Sequence, residues 1–99
     1  MPKIPWANRY DLALWRQETG LLPECPGVYF FVDATDEILY IGKATSLRDR
    51  VRSYFSGDMF ETRGPKIVLM LERARSIAYR ETDSVLEALL LESRLIKEY

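Results

Sequence analysis

Histidine is missing from the 99 residues, and cysteine occurs once, at Cys25. Without an imidazole, Ser-His-Asp and Cys-His arrangements are excluded. Any general base has to be a carboxylate, a lysine, a tyrosine, the lone cysteine or a metal-activated water. One cysteine cannot close an internal disulfide, which fits a reducing compartment and the expectation of a cytoplasmic protein. It also leaves no zinc site of ordinary spacing. No apolar run is long enough to cross a bilayer, and Met1-Pro2-Lys3-Ile4-Pro5-Trp6 has no apolar signal core, so no membrane contact is expected. A chain of this length supports one domain with a modest core.

Charge is nearly balanced, at −1 overall. The balance conceals a division. From Lys43 to Arg80 nine bases stand against four acids, whereas the rest of the chain carries five bases and eleven acids. Arginine dominates the basic section, and its planar fork suits phosphate better than a lysine point charge does. Contact with a phosphate backbone needs such a patch, although a solvated face without a partner has the same composition.

Two triplets, Gly27-Val28-Tyr29 and Tyr40-Ile41-Gly42, each sit in an apolar run of strand length. The polar stretch Asp33-Ala34-Thr35-Asp36-Glu37 separates the runs, and the pattern predicts a β-hairpin. Alternation puts Val28, Phe30 and Val32 on one face and Tyr29 and Phe31 on the other. In the second strand it groups Ile38 and Tyr40 with Gly42, opposite Leu39 and Ile41. Both tyrosines then project to one side of the sheet near its end. They are either ordinary core aromatics or a pair of working hydroxyls.

Leu47, Val51 and Tyr54 recur at helical spacing between Leu47 and Phe55, which makes them the core-facing line. Arg50 lies along that line and is expected to face the protein, where it needs a partner or a bound anion. Arg48 and Arg52 point away, available for phosphates. Upstream, Asn8 is placed to cap a helix from about Arg9 to Glu18, stopped by Gly20. Leu21 to Pro26 reads as an extended connector. Downstream, Ser56 to Gly64 reads as a loop, and Pro65 opens a helix that buries Ile67, Met70, Leu71 and Ala74. Ser76 to Glu81 is a third strand. Ser84, with Glu87 in a capping box, starts a last helix from Val85 to about Lys97. There Val85, Ala88, Leu89, Leu95 and Ile96 form an apolar arc with Glu92 in its middle. A carboxylate so placed needs an inward base such as Arg50, or a hard divalent cation such as Mg²⁺, which takes one carboxylate and keeps several waters.

Taken in order, Gly27-Val28-Tyr29, Tyr40-Ile41-Gly42-Lys43, Arg50 and Glu92 resemble the GIY-YIG endonucleases. A closer likeness, to the N-terminal domain of the bacterial UvrC family, is carried by LPECPGVYFF (22–31), LYIGKATSLRDRVRSYF (39–55) and EALLLESRLIK (87–97). The resemblance implies a small α/β (α+β) domain over residues 21–99, a three-stranded antiparallel sheet flanked by helices, behind an N-terminal helical extension of residues 1–20. It implies a hydrolase that cuts a DNA phosphodiester bond with one divalent cation, Mg²⁺ or Mn²⁺. Tyr29, Tyr40, Lys43, Arg50 and Glu92 match the catalytic set, with Glu92 as the metal ligand. Lys43, Arg48, Arg50 and Arg52 are the expected DNA contacts. A UvrC-like role adds 3′ incision in nucleotide excision repair and a UvrB-like damage-recognition partner. A stand-alone nuclease on branched or foreign DNA, and a non-catalytic DNA-binding module of the same fold, stay open at this point. The chain departs from the pattern at Arg94, where UvrC domains usually carry asparagine.

Overall fold

The two apolar runs pair as a hairpin in the computed structural model, which describes residues 8–13, 22–55 and 64–98. Strand β2 (Gly27–Val32) is buried along its whole length, and β3 (Ile38–Ala44) lies antiparallel to it. Asp33 organises the turn between them. Its Oδ1 accepts from the Thr35 N–H and hydroxyl, each at 2.8 Å, and from the Glu37 N–H at 3.0 Å. The Thr35 hydroxyl foremost, then the Glu37 amide, holds the Asp33 carboxyl below the usual carboxylate range. Asp36 takes a positive φ of 67°, a conformation that aspartate tolerates better than most side chains.

A bulge corrects the expected alternation in β3. Phe31 pairs with Tyr40 but Val32 pairs with Ile38, so Leu39 is extra on its strand. The insertion turns Leu39 to the same side as Tyr40, while Ile38 joins Ile41 on the opposite face. In β2 the alternation holds. Val28, Phe30 and Val32 share one cluster; Tyr29 and Phe31 belong to the other.

Among the described residues the sheet has four strands rather than three, in the order β1-β4-β2-β3, with β1 at Asn8–Asp11 and β4 at Ser76–Glu81. The expected helix therefore does not begin at Arg9. Asp11, not Asn8, receives the capping bond, its Oδ1 accepting the Ala13 N–H at 2.9 Å as Leu12 and Ala13 turn helical. Before that point, strand contacts win. Tyr10 stacks on Tyr79 with centroids 6.1 Å apart, and Arg9 donates to Ser76 Oγ at 2.9 Å and pairs with Asp36 at 2.5 Å. The remainder of the expected helix, its Gly20 stop and most of the Ser56–Gly64 loop lie outside the described residues.

Helix α1 (Leu47–Ser53) is capped by Ser46, whose Oγ accepts the Asp49 N–H, and α2 (Pro65–Arg73) carries proline in its first turn. Helix α3 (Val85–Glu98) starts behind Ser84, whose Oγ accepts the Glu87 N–H at 3.1 Å. Leu47, Val51 and Tyr54 from α1 and its end join Tyr29 and Phe31 on one face of the sheet, with Ile67, Val68, Met70 and Leu71 of α2 packed alongside. On the other face Leu91 and Leu95 of α3 meet Val28, Phe30, Val32 and Ala78. No helix among the described residues is long and apolar enough to cross a membrane.

The wheel position of Glu92 also needs correcting. Helix α3 buries Ala88, Leu91 and Leu95, while Val85, Leu89 and Ile96 stand in solvent. The helix is rolled so that Glu92 lies at the rim of its buried stripe instead of the centre. A rim position lets the carboxylate keep contact with a cavity and with water, which lowers the cost of its charge.

Candidate active site

The antiparallel register puts Tyr29 directly opposite Gly42. A Cβ at Gly42 would fall 2.4 Å from both Cζ and Oη of Tyr29, so the tyrosine ring lies where a side chain would stand. A Cβ at Gly27 would fall 2.4 Å from the Arg80 carbonyl oxygen and 2.7 Å from Leu47 Cδ1. Both glycines are thus required by close approach: one seats the catalytic-candidate ring, the other seats β2 against β4 and α1.

Tyr29, Tyr40, Lys43, Arg50 and Glu92 all line one cavity of about 220 Å³, together with Gly42, Ala44, Thr45, Val85 and Ala88. Four elements meet there. Tyr29 comes from β2, Tyr40 and Lys43 from β3, Arg50 from α1 and Glu92 from α3. The cavity wraps around β3, an edge strand of the described sheet, which is how groups from opposite faces of the sheet reach the same space.

Sequence reasoning missed Tyr54 as more than a core residue. Its hydroxyl lies 2.6 Å from that of Tyr29, and both rings are almost wholly buried. Tyr29, Tyr40 and Tyr54 form a mutual cluster with centroids 5.8 to 6.4 Å apart. The available signal was chemical: a buried tyrosine hydroxyl needs a partner, and Tyr54 falls one turn after Arg50. Burial first, then the Tyr54 hydroxyl, pushes the Tyr29 phenol well above its ordinary value, against a smaller opposing pull from Arg50. Tyr29 is therefore a neutral donor and acceptor at neutral pH. Tyr40 is half-buried and borders the same cavity.

The cations divide differently from the sequence expectation. Arg50 borders the cavity yet remains exposed, and its guanidinium makes no ion pair among the described residues. Glu92 pairs instead with Lys43, whose Nζ lies 3.9 Å from Oε1. Arg48 is not a free surface cation. Its Nε donates to the Leu22 carbonyl at 2.8 Å and its guanidinium pairs with Glu24, which pins the connector before β2 to α1. Arg52 is exposed.

Glu92 suits one hard cation. Its side chain is 17% exposed, and the Lys43 ammonium at 3.9 Å is beyond hydrogen-bond length, leaving carboxylate oxygens open to the cavity. No group of three or more ligating side chains occurs among the described residues. A soft or tetrahedral metal is poorly served by that donor set, whereas Mg²⁺ accepts one carboxylate and completes its shell with water.

Comparison with known proteins gives a consistent picture. The family model for the UvrC-like GIY-YIG domain matches residues 25–99. The UvrABC system protein C of Thermoanaerobacter sp. (strain X514) is 48% identical over 83 residues, 84% of this chain and 13% of that protein. That of Haloarcula marismortui is 46% identical over 87 residues, 85% of this chain and 14% of that protein. The chain thus spans about one-eighth of the length of the curated relatives it matches. Among solved structures, the GIY-YIG N-terminal endonuclease domain of UvrC from Thermotoga maritima is 36% identical, with a TM-score of 0.70 over 85% of this chain and 88% of that one. That domain was crystallised with magnesium, described as its catalytic divalent cation, and also as tyrosine-to-phenylalanine point mutants.

Proposed function

Because the chain belongs to the UvrC-like GIY-YIG domain family, we propose that it is a metal-dependent endonuclease domain hydrolysing a DNA phosphodiester bond. The observation that carries the proposal is the convergence of Tyr29, Tyr40, Lys43, Arg50 and Glu92 on one small cavity from four separate elements. The catalytic unit is residues 21–99, to which β1 of the preceding extension adds an edge strand.

One divalent cation, Mg²⁺ or Mn²⁺, held by Glu92, would supply Lewis-acid charge neutralisation at the phosphate. The protein's own groups do the positioning. Phosphodiester hydrolysis asks mainly for alignment and for cationic charge around the equatorial oxygens. Arg50, without an ion pair among the described residues and bordering the cavity, offers a bidentate fork to a non-bridging phosphate oxygen pair. Lys43 sits beside Glu92 and keeps the carboxylate aimed into the site. Tyr29, neutral and fixed by Tyr54, holds an incoming water by hydrogen bond, and Tyr40 orients that water or the phosphate. Arg52 extends the phosphate contacts beyond the cavity. Arg48 drops out of the contact set because it fastens the connector to α1.

By its relatives' role, the chain would incise DNA on the 3′ side of a lesion in nucleotide excision repair, in the cytoplasm, with a UvrB-like damage-recognition partner. The test is incision of a duplex carrying one bulky lesion and a labelled strand, with and without the partner proteins. Partner-dependent cutting at a fixed distance 3′ to the lesion supports the repair role. Cutting indifferent to both lesion and partner would overturn that role and leave a general nuclease.

A further inference from the structure

Helix α3 holds five large aliphatic side chains in solvent: Val85 (47% exposed), Leu86 (64%), Leu89 (42%), Leu90 (62%) and Ile96 (54%). They are not scattered. At 100° per residue they fall within an arc of roughly 140°, away from the Ala88, Leu91 and Leu95 stripe that packs on the sheet. Within the arc Leu86, Leu90, Ser93 and Lys97 follow the alternating four- and three-residue spacing of a two-helix seam. Glu87 and Arg94 flank this seam on one side; Leu89 and Ile96 flank it on the other. Among the described residues, neither the Glu87 nor the Arg94 side chain makes an ion pair.

We propose that this face pairs with the same face of a second copy, the two α3 helices lying antiparallel about a two-fold axis near residues 91 and 92. Leu90 then packs on the partner's Ser93, and Leu86 runs along the aliphatic stem of the partner's Lys97. Leu89 meets the partner's Ile96, and Glu87 stands opposite the partner's Arg94. The symmetry makes every contact twice. Charge selects the direction. In a parallel pair the Glu87 and Arg94 flanks of the two copies would lie on opposite sides of the seam and neither charge would meet an unlike one, whereas the antiparallel pair joins unlike charges at both ends of the seam. Ser93 permits close approach at the centre, and Lys97 in the seam keeps the association reversible. A contact made by one 14-residue helix from each copy lies at the small end of protein interfaces, below about 1,200 Å² in total, so association is expected at high micromolar concentration.

Sedimentation velocity of the purified chain from low micromolar to near-millimolar concentration tests this, without DNA or metal. The expected result is a weight-average mass climbing from one chain toward two. Arg94→Glu should weaken association about ten-fold or more, since two attractions become two repulsions. Adding Glu87→Arg to Arg94→Glu should bring most of it back by rebuilding the pair with its charges exchanged. Leu90→Glu should abolish it, and circular dichroism should stay native because Leu90 is exposed. A monomer at every concentration, or a dimer indifferent to both Arg94→Glu and Leu90→Glu, would overturn the proposal and give the face to a different polypeptide.

Discussion

Tyr29 occupies its place because residue 42 has no side chain, and that steric fact gives the sharpest prediction at single-residue scale. Gly42→Ala puts a methyl group 2.4 Å from the Tyr29 ring and hydroxyl. The ring has to move, and a displacement near 1 Å at a positioning group can cost about 10²-fold in rate. Overpacking of this kind should also cost about 1–3 kcal/mol of stability. Plasmid nicking and thermal unfolding on the same sample check both effects. Tyr54 is the second case. Tyr54→Phe strips the buried Tyr29 hydroxyl of its 2.6 Å partner and should cost about 1–3 kcal/mol. The double variant Tyr29→Phe/Tyr54→Phe leaves no orphaned hydroxyl, so its loss of stability should be less than the sum of the two single losses. Its activity should not recover. A urea-unfolding double-mutant cycle reads the coupling, and strict additivity would mean that the hydroxyl pair contributes nothing.

Helix α1 has two working sides, and the arginines on it separate accordingly. Arg48→Ala removes the bond to the Leu22 carbonyl and should cost about 1–2 kcal/mol of stability, with DNA affinity measured on the folded fraction little changed. Arg52→Ala should do the reverse: stability unchanged, binding weaker for every sequence, and the slope of log affinity against log salt reduced by about one. Denaturant titration and fluorescence anisotropy at several salt concentrations distinguish the two. Most elements were legible in the sequence because local chemistry and tertiary packing agree in them. Pro65, the Ser76–Glu81 run and the Ser84 cap fall where the pattern puts them. Two elements were misread for identifiable reasons. Asn8 and Asp11 are equivalent as caps from sequence alone, and the partner that draws Arg9 and Tyr10 into a strand is β4, about seventy residues away. The Leu39 bulge leaves no local mark, since each residue from Ile38 to Ile41 is apolar or aromatic and either alternation reads plausibly.

At the scale of the whole molecule, the catalytic candidates were readable as an ordered set of residue types, while their mutual pairing was not. Arg50 and Glu92 both look inward on a helical wheel, yet α3 rolls Glu92 to the rim and gives it to Lys43. A wheel fixes angles within one helix and says nothing of how that helix is rotated on the sheet. Burial across the molecule also sets its alkaline limit. Burial lifts the Cys25 thiol to about 11, with help from Glu81, and the Tyr79 phenol to about 12, with help from Tyr10; Tyr29 is raised further. Each group holds its proton more tightly folded than unfolded. The stability they contribute is complete below the unfolded values, near 9 for the thiol and 10 for the phenols, and is lost as pH rises toward the folded ones. The unfolding temperature should therefore fall progressively above about pH 9, and Tyr29→Phe should shallow that fall. An unfolding temperature flat from pH 8 to 11 would contradict the tighter proton binding of these groups in the folded chain.

The most direct measurement is nicking of supercoiled plasmid at low salt with Mg²⁺ or Mn²⁺, comparing the wild type with Glu92→Gln. Glu92→Gln keeps shape and removes charge from the only carboxylate that lines the cavity among the described residues. The prediction is nicking that requires the added cation and is abolished by Glu92→Gln, with the variant folded by circular dichroism. Nicking that persists in Glu92→Gln, or that survives chelation of the metal, would contradict a reaction centre built on Glu92.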